Sequence, residues 1–262
     1  MITHRVIPVL LLQDQALVKT RRFRQPTYVG DPINAIRIFN EKEVDELFLI
    51  DIAASREHRE PDYKLLHDCA SECFMPLGYG GGISSLSQAT RLFDIGIEKV
   101  SLQTSTLETP QLVEQVAARY GNQAVVASVD VRRDWRGRIR LWSARQQKAL
   151  GQNWKDHLRN VQALGAGEVL LNCVHRDGTR EGYDCEIIAE AATMIDIPII
   201  AIGGAGSIQD LPPAVAAGAS ALGAGSMFVF EGPHRAVLIS YPSYQELTDA
   251  LSRWPHKTGC NA

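Results

Sequence analysis

Cysteine is scarce in this 262-residue chain, and its pattern is wrong for cross-linking. Cys69, Cys73, Cys173, Cys185 and Cys260 are odd in number and dispersed, with no Cys-x-x-Cys pair, so a disulfide framework is excluded and a reducing compartment fits. Cys69 and Cys73 stand four apart, a spacing that reads as buried packing rather than a metal site; no metal and no cofactor are expected. No apolar run approaches the roughly 20 residues of a membrane span. The start, Met-Ile-Thr-His-Arg5, leads directly into an apolar segment without the regions of a signal peptide. A cytoplasmic protein is expected. Excess charge is also missing: at −3 net nothing drives the chain toward nucleic acid or an anionic membrane. No proline-, serine- or charge-rich linker interrupts it, so residues 1–262 read as one domain.

What is present is alternation. Short β-rich apolar segments begin near Val6, Glu46, Met75, Lys99, Ala124, Glu168, Ile197 and Ala221. Between them lie amphipathic stretches at Pro32–Lys42, Tyr63–Cys73, Leu86–Ile95, Gln111–Tyr120, Trp154–Leu164, Glu186–Met194 and Leu211–Ala217, with Tyr244–Trp254 last. Strands alternating with helices imply parallel βαβ units, and eight of them in a chain of this length imply a closed (β/α)8 TIM barrel. Strand starts are spaced by roughly 40, 29 and 24 residues and, after a step of about 25, by roughly 44, 29 and 24. Gly80-Gly-Gly-Ile-Ser84 returns as Gly203-Gly-Ala-Gly-Ser207, and Leu49-Ile-Asp-Ile52 as Leu170-Leu-Asn-Cys173. The chain reads as two fused half-barrels.

Glycines between a strand and a helix let backbone N–H groups approach an anion. Gly81 and Gly82 follow the third strand, and the fourth ends in Ser101-Leu-Gln103-Thr104; Gly203 and Gly204 follow the seventh, and the eighth ends in Gly223-Ala-Gly225-Ser226. Each pair of loops is either a phosphate cradle at the C-terminal rim or tight strand-to-helix packing. Two cradles half a barrel apart suit a long ligand with a phosphate at each end.

Asp130 closes an otherwise apolar strand, Ala124-Val-Val-Ala-Ser-Val-Asp130, and is expected in the barrel mouth as a general acid or base, or as a structural carboxylate paired with Lys19 or an arginine. Its counterpart in the first strand, Arg5-Val-Ile-Pro-Val-Leu-Leu-Leu12, carries no ionisable group at its inward end: Leu11 stands where a second acid belongs. Asp177 and Gly178, in His175-Arg-Asp-Gly-Thr179, serve the rim or an ordinary turn. The basic segment Gln13–Gly30 reads as a long rim loop of the lid type, whose Lys19 either reaches a phosphate or stays in solvent.

Phe48-Leu-Ile-Asp-Ile-Ala-Ala-Ser55, Gly80-Gly-Gly-Ile83, Gln123-Ala-Val-Val126, Arg176-Asp-Gly-Thr179 with Gly182-Tyr-Asp184, and Pro198-Ile-Ile-Ala201 with Gly203-Gly-Ala-Gly206 together resemble the cyclase subunit of imidazole glycerol phosphate synthase (HisF). The resemblance runs from Arg5 to about Phe230. It implies a glutaminase (HisH-like) partner at the N-terminal face of the barrel. It also implies entry of ammonia through a charged ring at Arg5, Glu46, Lys99 and Glu168, and a phosphorylated small-molecule ligand at the rim. The departures are specific. The family's Cys-Leu-Asp-Val-Lys is Val9-Leu-Leu-Leu-Gln13 here, so Leu11 replaces a catalytic acid. A family asparagine is Gln103, and the rim aspartate before Arg176 is His175. Residues 231–242 add a short β-prone insertion before the last helix. This tail looks like the HisF-like branch that accompanies surface-polysaccharide (lipopolysaccharide) genes, which implies a sugar amidotransferase as a further partner in acetamidino sugar formation. Two alternatives stand beside it: a genuine cyclase in histidine biosynthesis, with Asp130 working alone or with His175, and a non-catalytic scaffold.

Overall fold

Strands buried on both faces need continuous apolar sequence, and eight such segments pair side by side in the computed structural model, which describes residues 4–232 and 234–252. They are β1 (Arg5–Gln13), β2 (Leu47–Asp51), β3 (Leu77–Gly80), β4 (Lys99–Leu102), β5 (Val125–Arg133), β6 (Glu168–Cys173), β7 (Ile199–Ile202) and β8 (Ala221–Ala224). Every neighbouring pair is parallel, and β8 returns to β1 with Arg5 opposite Ala221. The ring is closed. The helices α1 (Pro32–Glu41), α2 (Tyr63–Glu72), α3 (Leu86–Asp94), α4 (Gln111–Tyr120), α5 (Trp154–Ala163), α6 (Cys185–Ala192), α7 (Leu211–Ala216) and α8 (Tyr244–Ser252) alternate with the strands. The fold is the expected (β/α)8 barrel. The strands predicted near Met75 and Ile197 start two residues later; Cys260, Pro233 of the insertion and Trp254 of the predicted last helix lie outside the described residues.

Helix starts follow side-chain chemistry. Asp31, Asp62, Ser85, Asn153 and Asp184 each accept a backbone N–H from the first turn of α1, α2, α3, α5 and α6, satisfying donors that the helix itself cannot. The core has two parts. One is the annulus between strands and helices. The other is the barrel interior, where Ile7, Val9, Phe48, Val126, Leu170, Ile200 and Ala221 meet. Phe48 fills that interior because its neighbour Gly78 has no side chain: a Cβ there would lie 2.4 Å from a Phe48 ring carbon. Gly78→Ala is expected to displace the ring and cost about 1–3 kcal/mol, measured by denaturant unfolding.

Two rim features differ from expectation. The segment after Gln13 is an antiparallel hairpin of Ala16–Arg21 and Arg24–Gly30, grown directly from the end of β1 with Leu11 opposite Val18, rather than a structureless lid. The turn that joins it to β1, Asp14-Gln15, and its own turn, Arg22-Phe23, each have both residues at positive φ (51° and 63°, 54° and 61°), the twist a two-residue hairpin needs; both are uncommon pairs for it, which hid the turns. Likewise Asp130 does not end its strand. β5 continues to Arg133 and pairs antiparallel with Ile139–Ser143, which pairs in turn with Lys148–Ala149. In the insertion, Phe230–Glu231 pairs with Ala236–Val237.

Candidate functional site

Inward positions at the C-terminal ends of the strands open into one solvent-connected cleft. It brings together Leu11, Asp130, Asn172, both glycine pairs and the residues that face them. Asp130 is 3% exposed. Burial pushes its carboxyl up from an ordinary 3.8 to about 7; a hydrogen bond from Asn172 opposes this, and the Asp177 charge adds to it. A carboxyl in that range exchanges protons near neutrality. It also makes stability depend on pH. The folded state holds the Asp130 proton more tightly than the unfolded chain, so its contribution is complete below about pH 4 and is lost as pH rises toward 7. Asp130→Asn is expected to remove this slope, changing the difference from wild type by on the order of 3–4 kcal/mol between pH 4 and 8. Urea unfolding across that range reads it; parallel curves for the two proteins would refute it.

Asp130 is not paired with Lys19. The Lys19 ammonium donates to Asp177 Oδ1 at 2.6 Å, and Asp177 Oδ2 accepts from the Thr20 hydroxyl at 2.9 Å and the Phe23 N–H at 3.2 Å. Asp177 therefore pins the first rim hairpin over the barrel, a role larger than the turn residue that Asp-Gly suggests. Gly178 allows the approach, since a Cβ there would lie 2.2 Å from the Thr20 carbonyl oxygen. Lys19 still lines the cleft, as do Asp177 and Gly178.

His175 does not join Asp130 either. Its Nε2 lies 2.9 Å from Asp184 Oδ2, and its Nδ1 accepts the Arg133 backbone N–H at 3.4 Å. Asp184 also receives Arg133 at 2.8 and 2.9 Å. The His175 ring is thus held by the β5 extension and the start of α6, and it is not among the cleft-lining residues.

Asp51 and Asn172 are among the cleft residues that escaped the sequence reading. Asp51 is a third carboxylate beside Asp130 and Asp177, but its Oδ1 accepts the Ala53 and Ala54 N–H groups, both at 2.9 Å, and Arg59 lies 3.6 Å from Oδ2; it shapes its loop. Asn172, opposite Asp130 in the β5–β6 register, has a buried Oδ1 with no hydrogen-bond partner.

The glycine pairs both line the cleft. Gly82 (φ +70) and Gly204 (φ +113) adopt backbone that other residues avoid, and a Cβ would come within 2.5 Å of the Arg59 carbonyl oxygen and 2.0 Å of the Gly182 carbonyl oxygen. Gly81, Gly203, Ser101, Gln103, Thr104, Gly225 and Ser226 line the same cleft. The Gln103 side chain donates to the Trp142 carbonyl at 3.2 Å, tying this position to the second rim hairpin.

At the opposite end of the barrel Arg5, Glu46, Lys99 and Glu168 form a closed ring. Arg5 pairs with Glu46 and, at 2.7 Å, with Glu168; Lys99 lies 2.8 Å from Glu46 and 3.4 Å from Glu168. Among the described residues no group of three or more His, Cys, Asp or Glu converges as for a metal, and no helix is long and apolar enough to cross a membrane.

Comparison with known proteins agrees with this architecture. The family model for "Histidine biosynthesis protein" matches residues 5–234. The chain is 48% identical over 248 residues to a Pseudomonas aeruginosa protein provisionally named imidazole glycerol phosphate synthase subunit hisF2, covering 94% of this chain and 99% of the relative. A Leptospira interrogans protein, provisionally named the HisF subunit, is 44% identical over 94% of this chain and 98% of its own length. The HisF subunit of imidazole glycerol phosphate synthase from Streptomyces avermitilis is 37% identical over 226 residues, 86% of this chain and 90% of the relative. By this match over nearly its whole length, the chain belongs to the histidine-biosynthesis protein family, among the HisF-type subunits of imidazole glycerol phosphate synthase.

Proposed function

We propose that this barrel receives ammonia from a HisH-like glutaminase docked at its N-terminal face and conducts it to the rim. There the ammonia serves acetamidino sugar formation with a separate sugar amidotransferase in surface-glycan (lipopolysaccharide) synthesis. One observation carries the reading: the four-residue ring is complete and closed, while the cleft above it has Leu11 where a second catalytic acid belongs. Inlet and proton chemistry have been separated. Above the ring the interior is apolar, with Ile7, Phe48, Val126, Leu170, Ile200 and Ala221. Neutral ammonia crosses such a core cheaply, whereas ammonium pays the penalty of a buried charge. Asp130 then holds or returns a proton at the exit, and the glycine loops hold a phosphorylated ligand.

Co-purification of a glutaminase with this chain, followed by glutamine-dependent nitrogen transfer, tests the proposal. Lys99→Glu is expected to abolish the coupling, because it places a third acid in the ring. If the charge reversal leaves coupling untouched, the protein is a scaffold without ammonia flow. The genuine cyclase remains the second reading, favoured by the Asp130 carboxyl at about 7. Restored histidine prototrophy in a strain lacking its own cyclase would establish that reading and overturn the first.

A further inference from the structure

We propose that a second pocket, between the Asp14-Gln15 turn and the start of α2, binds a small organic cation, a primary ammonium group on a short carbon chain. The site lies outside the barrel wall. It depends neither on the ammonia route nor on a phosphorylated ligand in the cleft.

The pocket is framed by the ends of β1, β2 and β3 and the first turn of α2. Leu12, Leu66 and Tyr79 belong to the annulus between strands and helices, so they face α2 and not the barrel interior. Leu12, Leu65 and Leu66 form the apolar side of the pocket. Its mouth is open to solvent, because Asp14, Gln15 and Arg59 are exposed.

Two polar atoms facing it are unspent. Tyr79 is 1% exposed, lines the pocket, and has a buried hydroxyl without a hydrogen-bond partner. The hydroxyl is directed at the polar side, where it feels the charges of Asp51, Arg59 and Asp62. Burial holds its proton well above the usual tyrosine range, and the Asp51 charge adds to this. The second atom is Asp51 Oδ2. While Oδ1 accepts the Ala53 and Ala54 N–H groups, Oδ2 has only Arg59 at 3.6 Å, on a side chain 10% exposed; that distance is too long for a hydrogen bond. Arg59 lines this pocket and not the cleft, which puts Oδ2 on the pocket side. Polar atoms buried without donors cost free energy that a ligand removes.

Charge selects the ligand. Asp14, Asp51 and Asp62 share the lining with one cation, Arg59, whose Nε is spent on Glu57 at 2.6 Å. Asp62 accepts the Leu65 N–H at 3.1 Å and the Gln15 amide at 2.8 Å, neutral donors that leave its charge unpaired. Asp14 receives only the Gln13 amide at 3.5 Å. A neutral hydroxyl or a water satisfies Tyr79 and Asp51 but leaves the excess of carboxylates unbalanced, and an anion adds to it. Among the described residues no acids converge as for a metal ion, so the fitting cation is one that reaches separate acceptors through directed bonds. A primary ammonium has three N–H donors, which suit Asp51 Oδ2, the Tyr79 oxygen and Asp14. The leucines take its carbon chain.

Isothermal titration calorimetry of the full chain with propylammonium chloride, at fixed ionic strength, tests the proposal. One saturable equivalent is expected. Tyr79→Phe, which removes only the hydroxyl, is expected to weaken it about tenfold. Asp14→Asn, at a positive-φ position that asparagine tolerates, is expected to weaken it about two- to fivefold. Tetramethylammonium carries the same charge without N–H groups and is expected to bind about tenfold more weakly or worse. Tyr79 lines this pocket and not the cleft, so its variant separates the site from the carboxylates of the cleft. Absence of saturable binding, an affinity unchanged in Tyr79→Phe, or tetramethylammonium bound as tightly as propylammonium would each overturn the site. Thermal unfolding without amine gives an independent check. Tyr79→Phe deletes an unpaired buried hydroxyl and is expected to melt no lower than wild type; a clearly lower melting temperature would mean that the hydroxyl already has a partner, and would overturn the site as well.

Discussion

Replacing Glu46 by leucine is expected to lower the unfolding free energy by about 3–5 kcal/mol, the usual cost of breaking a buried ion pair from one side. Glu46 is the most deeply buried member of the ring, at 3% side-chain exposure, and it faces Arg5 and Lys99 together. Its removal leaves Glu168 alone to balance two cations in a partly dehydrated space. The same change from the other side is expected to cost a comparable amount, because Arg5→Met leaves Glu46 and Glu168, at 3% and 13% side-chain exposure, with Lys99 as their remaining ring cation. Guanidinium unfolding of both variants gives the ratio. Glu46→Gln separates charge from shape, because it keeps the volume and an acceptor oxygen while removing the charge, and it is expected to fall between wild type and Glu46→Leu. Equal small losses for Glu46→Leu and Arg5→Met would mean that the ring is wetter than its geometry implies.

The barrel was legible because its signals are periodic and local. Runs such as Val6–Leu12 satisfy their backbone beside neighbouring strands, and the alternation with amphipathic helices favours parallel ones and leaves few other closures. Asp130, Leu11 and the glycine pairs were legible for a related reason: parity along a strand of known start fixes which residues face inward. The failures lie where side chains choose among partners. Nothing local separates Lys19 bonding to Asp130 from Lys19 bonding to Asp177, since the choice depends on a hairpin folded over the rim. His175 reads as a rim group from its place after β6, yet Asp184, nine residues on, turns it away from the cleft. Asn172 was passed over because one polar residue in an apolar strand looks like part of the internal repeat, and only packing reveals that its Oδ1 has no partner. The rim hairpins were missed because their strands are mixed in polarity and the turn at Asp14-Gln15 lacks the usual glycine.

Leu11→Asp is expected to raise imidazole ring closure from free ammonium and phosphoribulosyl formimino carboxamide ribonucleotide by about 10²–10⁴-fold over wild type, the usual contribution of a positioned acid–base group. Leu11 already occupies the inward position at the end of β1 and shares the cleft with Asp130, so the substitution adds a carboxylate at the mouth without moving the backbone. Two carboxyls there influence each other's ionisation: the like charge pushes the Asp130 carboxyl above its present value of about 7, while the introduced carboxyl, the more exposed of the two, titrates first. One stays protonated as the acid while the other is ionised as the base, a division that wild type cannot reach with a hydrocarbon at this position. The pH profile of the variant is therefore expected to turn bell-shaped, with the Asp130 limb on the alkaline side. Gln103 is the second alteration to the pocket, so the double variant Leu11→Asp, Gln103→Asn is included; it is expected to match or exceed the single one. Thermal unfolding of each protein checks that the fold is kept. If wild type closes the ring as fast as these variants, Leu11 has cost the protein nothing, the missing acid is replaced from elsewhere in the cleft, and the chain is a working cyclase after all.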